Sequence, residues 1–342
     1  MNIYIVRRSS INSVFQAENH SVADAEQSED RNRLKCHEPD YTLYITDPMI
    51  RRRMSRAIKM GVTTALQCLN DYRKNPDAII TATGLGCLSD TEKFLRMIHD
   101  HREELLNPTP FIQSTFNTIG AQIAIALDNT NYNNTYVHRG FSFESALIDA
   151  LMILSEGEAK HLLLGSYEEL TDASFTIFSR LGVYRKGGKA GEGAQFFILS
   201  TEEKSACRLK DIAFAAKVTE TELQEKLNTF LERTGIRPAE IDCLVSGESG
   251  NREEQPYYDC VEKVFPESSV VTYKHRSGDY PTVTSFALWL SAEILQNNEI
   301  PPGLVKINRN KDIKKVLIYN HYRNINHSFI LIEKEFTNDS IV

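Results

Sequence analysis

The residues best suited to nucleophilic chemistry lie around one glycine near the middle of the chain. His138 and Ser142 stand two residues before and two residues after Gly140. A serine hydroxyl attacks a carbonyl carbon when an imidazole within hydrogen-bond reach takes its proton. Ser142 would then be the nucleophile and His138 its base. The alternative, which we favour, is that Ser142 caps a helix and that His138 is a structural residue on a buried strand.

The sequence around Gly140 predicts a strand, a sharp turn and a buried helix. Residues 135–138 are β-rich, and a turn at Arg139-Gly140 is favoured because glycine adopts backbone angles that other residues avoid. Apolar residues at helical spacing follow, and Gly157 ends the helix. Backbone amides and the helix dipole at such an elbow, here residues 138–142, activate a nucleophile and hold an oxyanion. Gly140, however, has no side chain that could react.

The composition indicates a soluble globular protein that binds neither nucleic acid nor metal. The chain has 342 residues, of which 41% are hydrophobic and 25% charged, and its formal net charge of −7 disfavours general nucleic-acid binding. Its nine histidines and six cysteines show no metal-ligand spacing, so we expect buried free thiols, no metal and no cofactor. No apolar run reaches 18 residues and residues 1–15 lack a signal-peptide core, which predicts no membrane span and a cytoplasmic location.

Strands and helices alternate along both halves of the chain, which predicts an α/β fold with largely parallel sheets. A polar joint near residue 203 divides it into two expected units, residues 1–203 and residues 204–342. A polar stretch at residues 9–41 is expected to be a long surface excursion. The predicted strands are residues 2–6, 42–46, 77–81, 135–138, 161–165, 195–199, 211–218, 243–246, 270–273, 315–319 and 328–333. The predicted helices are residues 49–72, 220–234, 255–264 and 282–295, together with the helix that Ser142 would cap and Gly157 would end.

Five basic residues crowd the first half of the predicted helix at residues 49–72. We call them the basic cluster: Arg51, Arg52, Arg53, Arg56 and Lys59. One interpretation is a solvated charged face, which is the commoner use of such a run. The other is a docking site for an acidic partner, because complementary charge steers and orients association.

Four blocks in series resemble the β-ketoacyl-ACP synthases, condensing enzymes of the thiolase fold. Gly84-Leu85-Gly86 comes first, followed by a helix that carries Phe94 and then by a closely spaced series of Pro110, Ser114 and Asn117. The elbow and its helix, with Ser155-Glu156-Gly157 and the apolar run 161–165, complete the pattern. The resemblance covers roughly residues 49–333. It implies two similar βα halves with layered sheets and buried helices in an αβαβα arrangement.

The resemblance also implies where catalytic residues would stand, and other residues occupy those positions here. Gly140 replaces the nucleophilic cysteine, Gly247 replaces the first histidine and Asp279 replaces the second. Lys274 and Gly278 match the lysine and glycine of the second histidine's motif. The segment 321–326 stands at a glycine-rich oxyanion loop of the family but contains no glycine. We expect no catalytic residues, and a residual pocket formed by His138, Phe141, Ser142, Lys274 and Gly278.

The resemblance therefore implies an inactive partner or chain-length-factor-like subunit of an active synthase, in polyketide or fatty-acid-type biosynthesis such as that of aryl polyenes. Its implied partners are an acyl carrier protein, docked at the basic cluster, and a second subunit. The subunits would pair as a homodimer or heterodimer through residues 131–137. Two alternatives stay open. One is an active acyltransferase that uses Ser142, His138, Lys274 and Asp279, and the other is a scaffold that binds the carrier protein.

Overall fold

The computed structural model describes residues 2–15, 32–184, 187–309 and 311–335, so part of the predicted excursion at residues 9–41 lies outside the described residues. The strands are β1 (Ile3–Ile11), β2 (Ala78–Ala82), β3 (Tyr132–Tyr136), β4 (His161–Glu168), β5 (Gly193–Ser200), β6 (Cys207–Ala216), β7 (Cys243–Ser246), β8 (Ser269–Thr272), β9 (Val305–Ile307), β10 (Lys315–Tyr322) and β11 (Asn326–Lys334). The helices are α1 (Pro48–Arg53), α2 (Arg56–Cys68), α3 (Leu88–His101), α4 (Pro108–Ser114), α5 (Thr118–Ala126), α6 (Ser142–Glu156), α7 (Asp172–Arg180), α8 (Glu220–Thr234), α9 (Gln255–Glu262), α10 (Lys274–Ser277) and α11 (Thr284–Asn297).

The order of the strands repeats between the two halves of the chain. The hydrogen-bonded order is β3-β2-β4-β5-β1-β6-β11-β10-β7-β8-β9. The first five strands in this order are 3-2-4-5-1. Read from the other end of the sheet, and leaving out β9, the later strands are 8-7-10-11-6, which is the equivalent order. The halves meet where Ile3 of β1 pairs with Leu209 of β6. The residue 203 boundary falls between β5 and β6, and the division into two units stays a prediction.

The prediction of largely parallel sheets is wrong. Parallel pairing joins β2 to β3 and β4, and β7 to β8 and β10. The other ladders between the described strands are antiparallel. The connection between β10 and β11 shows one cause: it is a turn of three residues, 323–325, and parallel strands need a crossover of a dozen or more.

Three hydrophobic clusters divide the molecule into layers. The first holds the buried faces of α6 and α11 together with side chains from strands of both halves. The hydrogen-bonded ladder is continuous, and we call its first five strands (β3-β2-β4-β5-β1) the first sheet and its other six strands the second sheet. The second cluster packs α2 and part of α5 against the other face of the first sheet, and the third packs α8 and α9 against the second sheet. Helices therefore cover both outer surfaces and α6 and α11 lie between the sheets, as expected. Trp289 of α11, the one tryptophan of the chain, is buried in this central layer.

Most predicted elements are present, with changes near the amino terminus. Strand β1 continues to Ile11, so the buried Ser9 and Ser10 belong to the sheet and not to a surface excursion. Residues 42–46 do not form a strand, because Tyr41–Leu43 is a short 3-10 helix. The single helix predicted at 49–72 is divided at Met54, whose extended backbone (ψ 132°) ends α1 and whose side chain is buried. The predictions of α8 and β7 are confirmed.

The cysteines are all free thiols, as expected, and four of the six are buried. Burial raises the pKa of Cys68 and of Cys207 to about 12, so these thiols stay protonated and unreactive. Among the described residues, no three histidine, cysteine or acidic side chains are grouped so that they could hold a metal ion. None of the described helices combines the length and the apolar character that crossing a membrane requires.

Candidate functional site

The side chain of Ser142 holds the turn of the elbow together through two hydrogen bonds. This residue begins α6, and its Oγ accepts a hydrogen bond from the backbone N–H of His138 (2.7 Å) and donates one to the carbonyl of Arg139 (2.7 Å). The prediction that Ser142 caps the helix is wrong, because its hydroxyl ties the preceding turn together instead. The left-handed residue of this turn is Arg139 (φ 49°) and not Gly140.

His138 does not form a catalytic pair with Ser142. The imidazole is exposed, contrary to the expectation of a buried strand position, and its Nδ1 lies 3.3 Å from the Oγ of Ser145. Ser145 in turn donates to the carbonyl of Phe141 (2.8 Å). Because the Ser142 hydroxyl is fully buried and has both its donor and an acceptor position occupied, the arrangement leaves it no proton path to an imidazole.

The space next to Gly140 is filled by an aromatic ring from the other half of the chain. A Cβ built on Gly140 would lie 2.6 Å from Cε2 of Tyr322, and closer still to Cγ and Cδ2 of the same ring. Any side chain at this position would overlap the ring, so glycine is required here by packing and not by its backbone angles. The position that the resemblance assigns to a nucleophile has therefore no room for one.

The space next to Gly247 is filled in the same way. A Cβ on Gly247 would lie 2.9 Å from Cγ of Asn320 and closer to its Oδ1. The Nδ2 of Asn320 donates to Oγ1 of Thr284 (2.7 Å), which fixes the amide in place. The position that the resemblance assigns to the first histidine is thus occupied by the side chain of a neighbouring strand.

One strand supplies both of these side chains. Asn320 and Tyr322 are two residues apart on β10, so they lie on the same face of the sheet. The turn that follows contains Arg323 (φ 52°) and Asn324 (φ 55°), two non-glycine residues in the left-handed region. Where the resemblance places a glycine-rich oxyanion loop, this chain has a tight hairpin, β10 and β11 with their turn, that carries Tyr322 over the elbow.

Lys274 and Asp279 form an ion pair beside this hairpin. Lys274 Nζ lies 2.9 Å from Asp279 Oδ1, and the lysine is 3% exposed. Gly278 between them has φ 72° and its backbone passes close to Gly191, so a side chain there would be doubly unfavourable. The ion pair engages the amine in a structural contact between the two ends of this segment.

Glu144, on the first turn of α6, is a buried carboxyl that sequence reasoning did not identify as part of the site. Its Oε1 accepts hydrogen bonds from Thr284 (2.7 Å) and Ser328 (3.1 Å), and its burial raises its pKa. Thr284 Oγ1 also accepts a hydrogen bond from the side-chain amide of Asn320, so these groups connect α6, α11 and the β10–β11 hairpin. No local pattern could reveal this network, because Glu144 lies more than a hundred residues in sequence from Thr284 and from Ser328.

Glu168, at the end of β4, is a second buried carboxyl near the elbow. It accepts hydrogen bonds from the Thr83 hydroxyl (3.2 Å) and from the backbone N–H of Gly84. Burial raises its pKa to about 8. The turn that it binds lies against the elbow, because a Cβ on Gly84 would lie 3.0 Å from the carbonyl of Arg139.

The basic cluster contains both structural and exposed residues. Arg56 forms two hydrogen bonds to the buried Glu192 (2.6 and 2.7 Å) and a third to Glu38, so its charge is used within the protein. Arg51 donates to the backbone carbonyl of Ile45. Lys59 is partly buried, whereas Arg52 and Arg53 are exposed at the end of α1. The exposed residues of the basic cluster are therefore Arg52 and Arg53.

Comparison with known proteins identifies the family and the fold. Residues 25–232 match the sequence profile described as "Beta-ketoacyl synthase, N-terminal domain". No curated protein sequence matches the chain. The fold resembles the ishigamide ketosynthase/chain length factor with a TM-score of 0.76 at 14% identity, over 98% of this chain and 100% of that one.

Two further solved structures are similar over 98% of this chain, each at 12% identity. One is a β-ketoacyl synthase from Burkholderia phymatum STM815, with a TM-score of 0.76 and all of its chain covered. The other is AntDE:AntF, a type II polyketide synthase acyl-carrier protein in complex with its ketosynthase bound to the hexaketide, with a TM-score of 0.77 and 99% of its chain covered. At such identities these likenesses establish a thiolase-like ketosynthase fold. The profile match covers more than half of the chain, and the chain therefore belongs to the β-ketoacyl synthase family.

Proposed function

We propose that this protein is a catalytically inactive, chain-length-factor-like partner of an active β-ketoacyl synthase in polyketide or fatty-acid-type biosynthesis, such as that of aryl polyenes. The observation that carries the proposal is the filling of two catalytic positions by one strand. Tyr322 occupies the space beside Gly140, and Asn320 occupies the space beside Gly247. A site in which packed side chains take these volumes has lost its chemistry through its packing as well as through its residue types.

The contacts around the elbow argue against an active acyltransferase that uses Ser142, His138, Lys274 and Asp279. The Ser142 hydroxyl donates to a backbone carbonyl, and His138 is directed at Ser145. Lys274 and Asp279 neutralise each other. Nucleophilic catalysis needs the nucleophile and its base within hydrogen-bond reach, and these four side chains are divided between separate contacts.

A partner role requires a surface for the second subunit, and the edge of the first sheet supports one. Among the described strands β3 pairs with β2 alone, so one side of its backbone has no ladder. Exposed apolar side chains lie on and beside this edge: Tyr132, Val137 and, on the neighbouring helices, Ile125 and Met152. An unpaired edge flanked by apolar residues is suited to pairing with another chain. We propose that the subunits pair along residues 131–137.

A carrier protein is the second proposed partner, and a scaffold that holds it without processing it is a second candidate function. The exposed guanidinium groups of Arg52 and Arg53 support this, because they are suited to an acidic protein surface. In the AntDE:AntF structure an acyl-carrier protein is in complex with its ketosynthase, which makes the same kind of partner reasonable here.

Co-expression with the active β-ketoacyl synthases of the same organism tests the partner proposal. We expect one of them to co-purify with this chain in a 1:1 complex, and the length of the product to change when this chain is omitted. The partner role would be contradicted if this chain co-purified with none of the synthases and the products were identical in its presence and absence. Retained binding of the carrier protein in that case would favour the scaffold.

A further inference from the structure

The β10–β11 hairpin, which places Tyr322 over Gly140, carries two histidines on its opposite face. His321 of β10 and His327 of β11 are direct cross-strand partners. Because side chains alternate along a strand, both point away from the elbow while their neighbours Tyr322 and Ser328 point towards it. Whatever displaces the two imidazoles therefore displaces the segment that holds the tyrosine ring.

The two histidines are enclosed by aromatic side chains. Their ring centroids are 5.2 Å apart, and both residues are at most 3% exposed. Tyr258 of α9 stacks on His321 with centroids 4.5 Å apart, and Tyr257 lies 5.0 Å from His327. Tyr319 of β10 completes the enclosure. A charged imidazole in such surroundings loses its hydration, and two neighbouring charges also repel each other.

His321 is bonded directly to the turn of the hairpin. The backbone N–H of Asn324 donates to its Nδ1 (3.3 Å), and since an amide N–H can only donate, this nitrogen carries no proton. Protonation would place a hydrogen on Nδ1 and replace the bond with an N–H facing an N–H. His327 Nδ1 lies 3.0 Å from the Tyr319 hydroxyl, which can donate to the neutral ring or accept from the protonated one. For His327, the cost of protonation is therefore the burial of its charge beside His321.

The charged groups nearby do not compensate for protonation. Lys274, which faces His321, is itself a cation, and its partner Asp279 is already engaged. Burial lowers the pKa of His321 well below its usual value and that of His327 to about 4. Hydrogen bonds to the backbone of Glu254 and of Asn324 act in the opposite direction on His321 and His327 respectively, but burial is the larger effect for both rings. Among the described residues, the titratable or charged side chains around the pair also include Tyr257, Tyr258, Tyr319 and, in the turn, Arg323.

We propose that the β10–β11 hairpin is a pH-sensitive latch, in which protonation of His321 and His327 releases the turn and lifts Tyr322 from Gly140. At neutral pH both imidazoles are uncharged and the elbow is closed. In acid the open hairpin binds protons that the closed one excludes, so opening becomes more frequent. This inference rests on the hairpin's own contacts and holds whether or not the protein partners a synthase.

Amide hydrogen exchange of the full-length protein at pH 7.5 and pH 5.5, corrected for the intrinsic exchange rates, tests the latch. An exposed imidazole has a pKa near 6.5, so one proton raises the opening equilibrium about tenfold between these pH values, and two raise it about a hundredfold. We expect this increase in peptides that cover residues 322–326 and the elbow. A peptide that covers β2 should show no comparable change, which separates the latch from global acid unfolding.

The variant His321→Asn identifies the group responsible. Asparagine places an uncharged oxygen near Nδ1, so it can accept from Asn324 but cannot titrate. We expect the acid response of the hairpin to fall about tenfold in this variant, and His327→Asn to reduce it independently if the first variant folds poorly. His101→Asn, an exposed histidine at the end of α3, is the matched control and should respond like the unaltered protein. A hairpin whose exchange is the same at both pH values, or a full response in both His321→Asn and His327→Asn, would overturn the proposal.

Discussion

The ring of Tyr322 occupies the volume that a side chain on Gly140 would need, although the two residues are far apart in sequence. The glycine and the tyrosine are therefore a matched pair: one provides the space and the other fills it. Because packed interiors tolerate little added volume, neither residue can change in size without a response from the other.

The first prediction is that Gly140→Ala destabilises the protein. The added methyl group overlaps the Tyr322 ring, and overpacking of this kind costs about 1–3 kcal/mol of unfolding free energy. Denaturant unfolding of the variant measures the loss. The same substitution should cost less unfolding free energy in a Tyr322→Gly background than in the unaltered protein, because the two changes are coupled. Strictly additive effects in the double variant would show that the ring does not cause the clash.

The second prediction concerns the carrier protein. Reversing Arg52 and Arg53 to Glu should weaken its binding at least tenfold, and binding by the unaltered protein should weaken as salt rises, because exposed charges are screened within about 8 Å at physiological ionic strength. Isothermal titration at two salt concentrations measures both effects. The double variant Lys204→Glu and Lys226→Glu carries the same change in net charge at exposed sites elsewhere. Equal affinities for the two double variants would remove the docking site from Arg52 and Arg53.

The third prediction is that the chain pairs through the edge of β3. Placing charges on the apolar residues beside this edge, with Val137→Lys and Met152→Lys, should convert a dimer into a monomer because an unpaired charge at an interface stays desolvated. Light scattering at micromolar concentration gives the mass. The variant Ile177→Lys with Leu181→Lys, on and just beyond the exposed face of α7, should leave the mass unchanged. A monomer that persists before any substitution and with an active synthase present would rule out the pairing.

The fourth prediction follows from Glu168. Its pKa is raised to about 8 by burial, so the folded protein holds this carboxyl protonated while the unfolded chain ionises it near its model value of 4.5. The unfolded state therefore binds fewer protons between these pH values, and the contribution of Glu168 to stability falls as pH rises from about 4.5 to about 8. Glu168→Gln should flatten this part of the stability profile. Denaturant unfolding at pH 5, 6, 7 and 8 provides the measurement, and parallel profiles for the two proteins would contradict the assignment.

Local sequence signals predicted the elements of the site but not what fills it. A helix after the elbow was predicted from its apolar spacing, with Gly157 as its stop, and α6 ends at Glu156 with Gly157 in the left-handed region. The resemblance placed Gly140 and Gly247 at catalytic positions, but nothing near either glycine points to Tyr322 or Asn320. Those contacts depend on how β10 lies across the molecule, which no local pattern encodes.

Other errors have the same origin. Ser142 has the residue type and the position of a helix cap, yet its hydroxyl bonds to the backbone of Arg139 and of His138 in the preceding turn. Arg56 looked like a surface charge, and only the folded protein brings the buried Glu192 within reach of it. Charge and residue type could be read from the sequence, but the partner of each group could not.

The central claim is that the elbow does not support condensation, and restoring its nucleophile tests this most directly. The variant Gly140→Cys places a thiol at the amino terminus of α6, and Gly140→Cys with Tyr322→Gly also gives it room. The thiol can then react with an alkylating probe, because a helix amino terminus favours the thiolate.

Condensation should nevertheless fail in both variants. Gly247 and Asp279 supply no imidazoles, and the turn at residues 323–325 contains no glycine, while the loss of a single oxyanion donor costs about 10²–10³ in rate. The measurement is carbon dioxide release together with ketone formation from malonyl carrier protein, with an active synthase as the positive control. We predict alkylation of the double variant without condensation in either variant. Turnover by either variant near that of the active synthase would contradict the account.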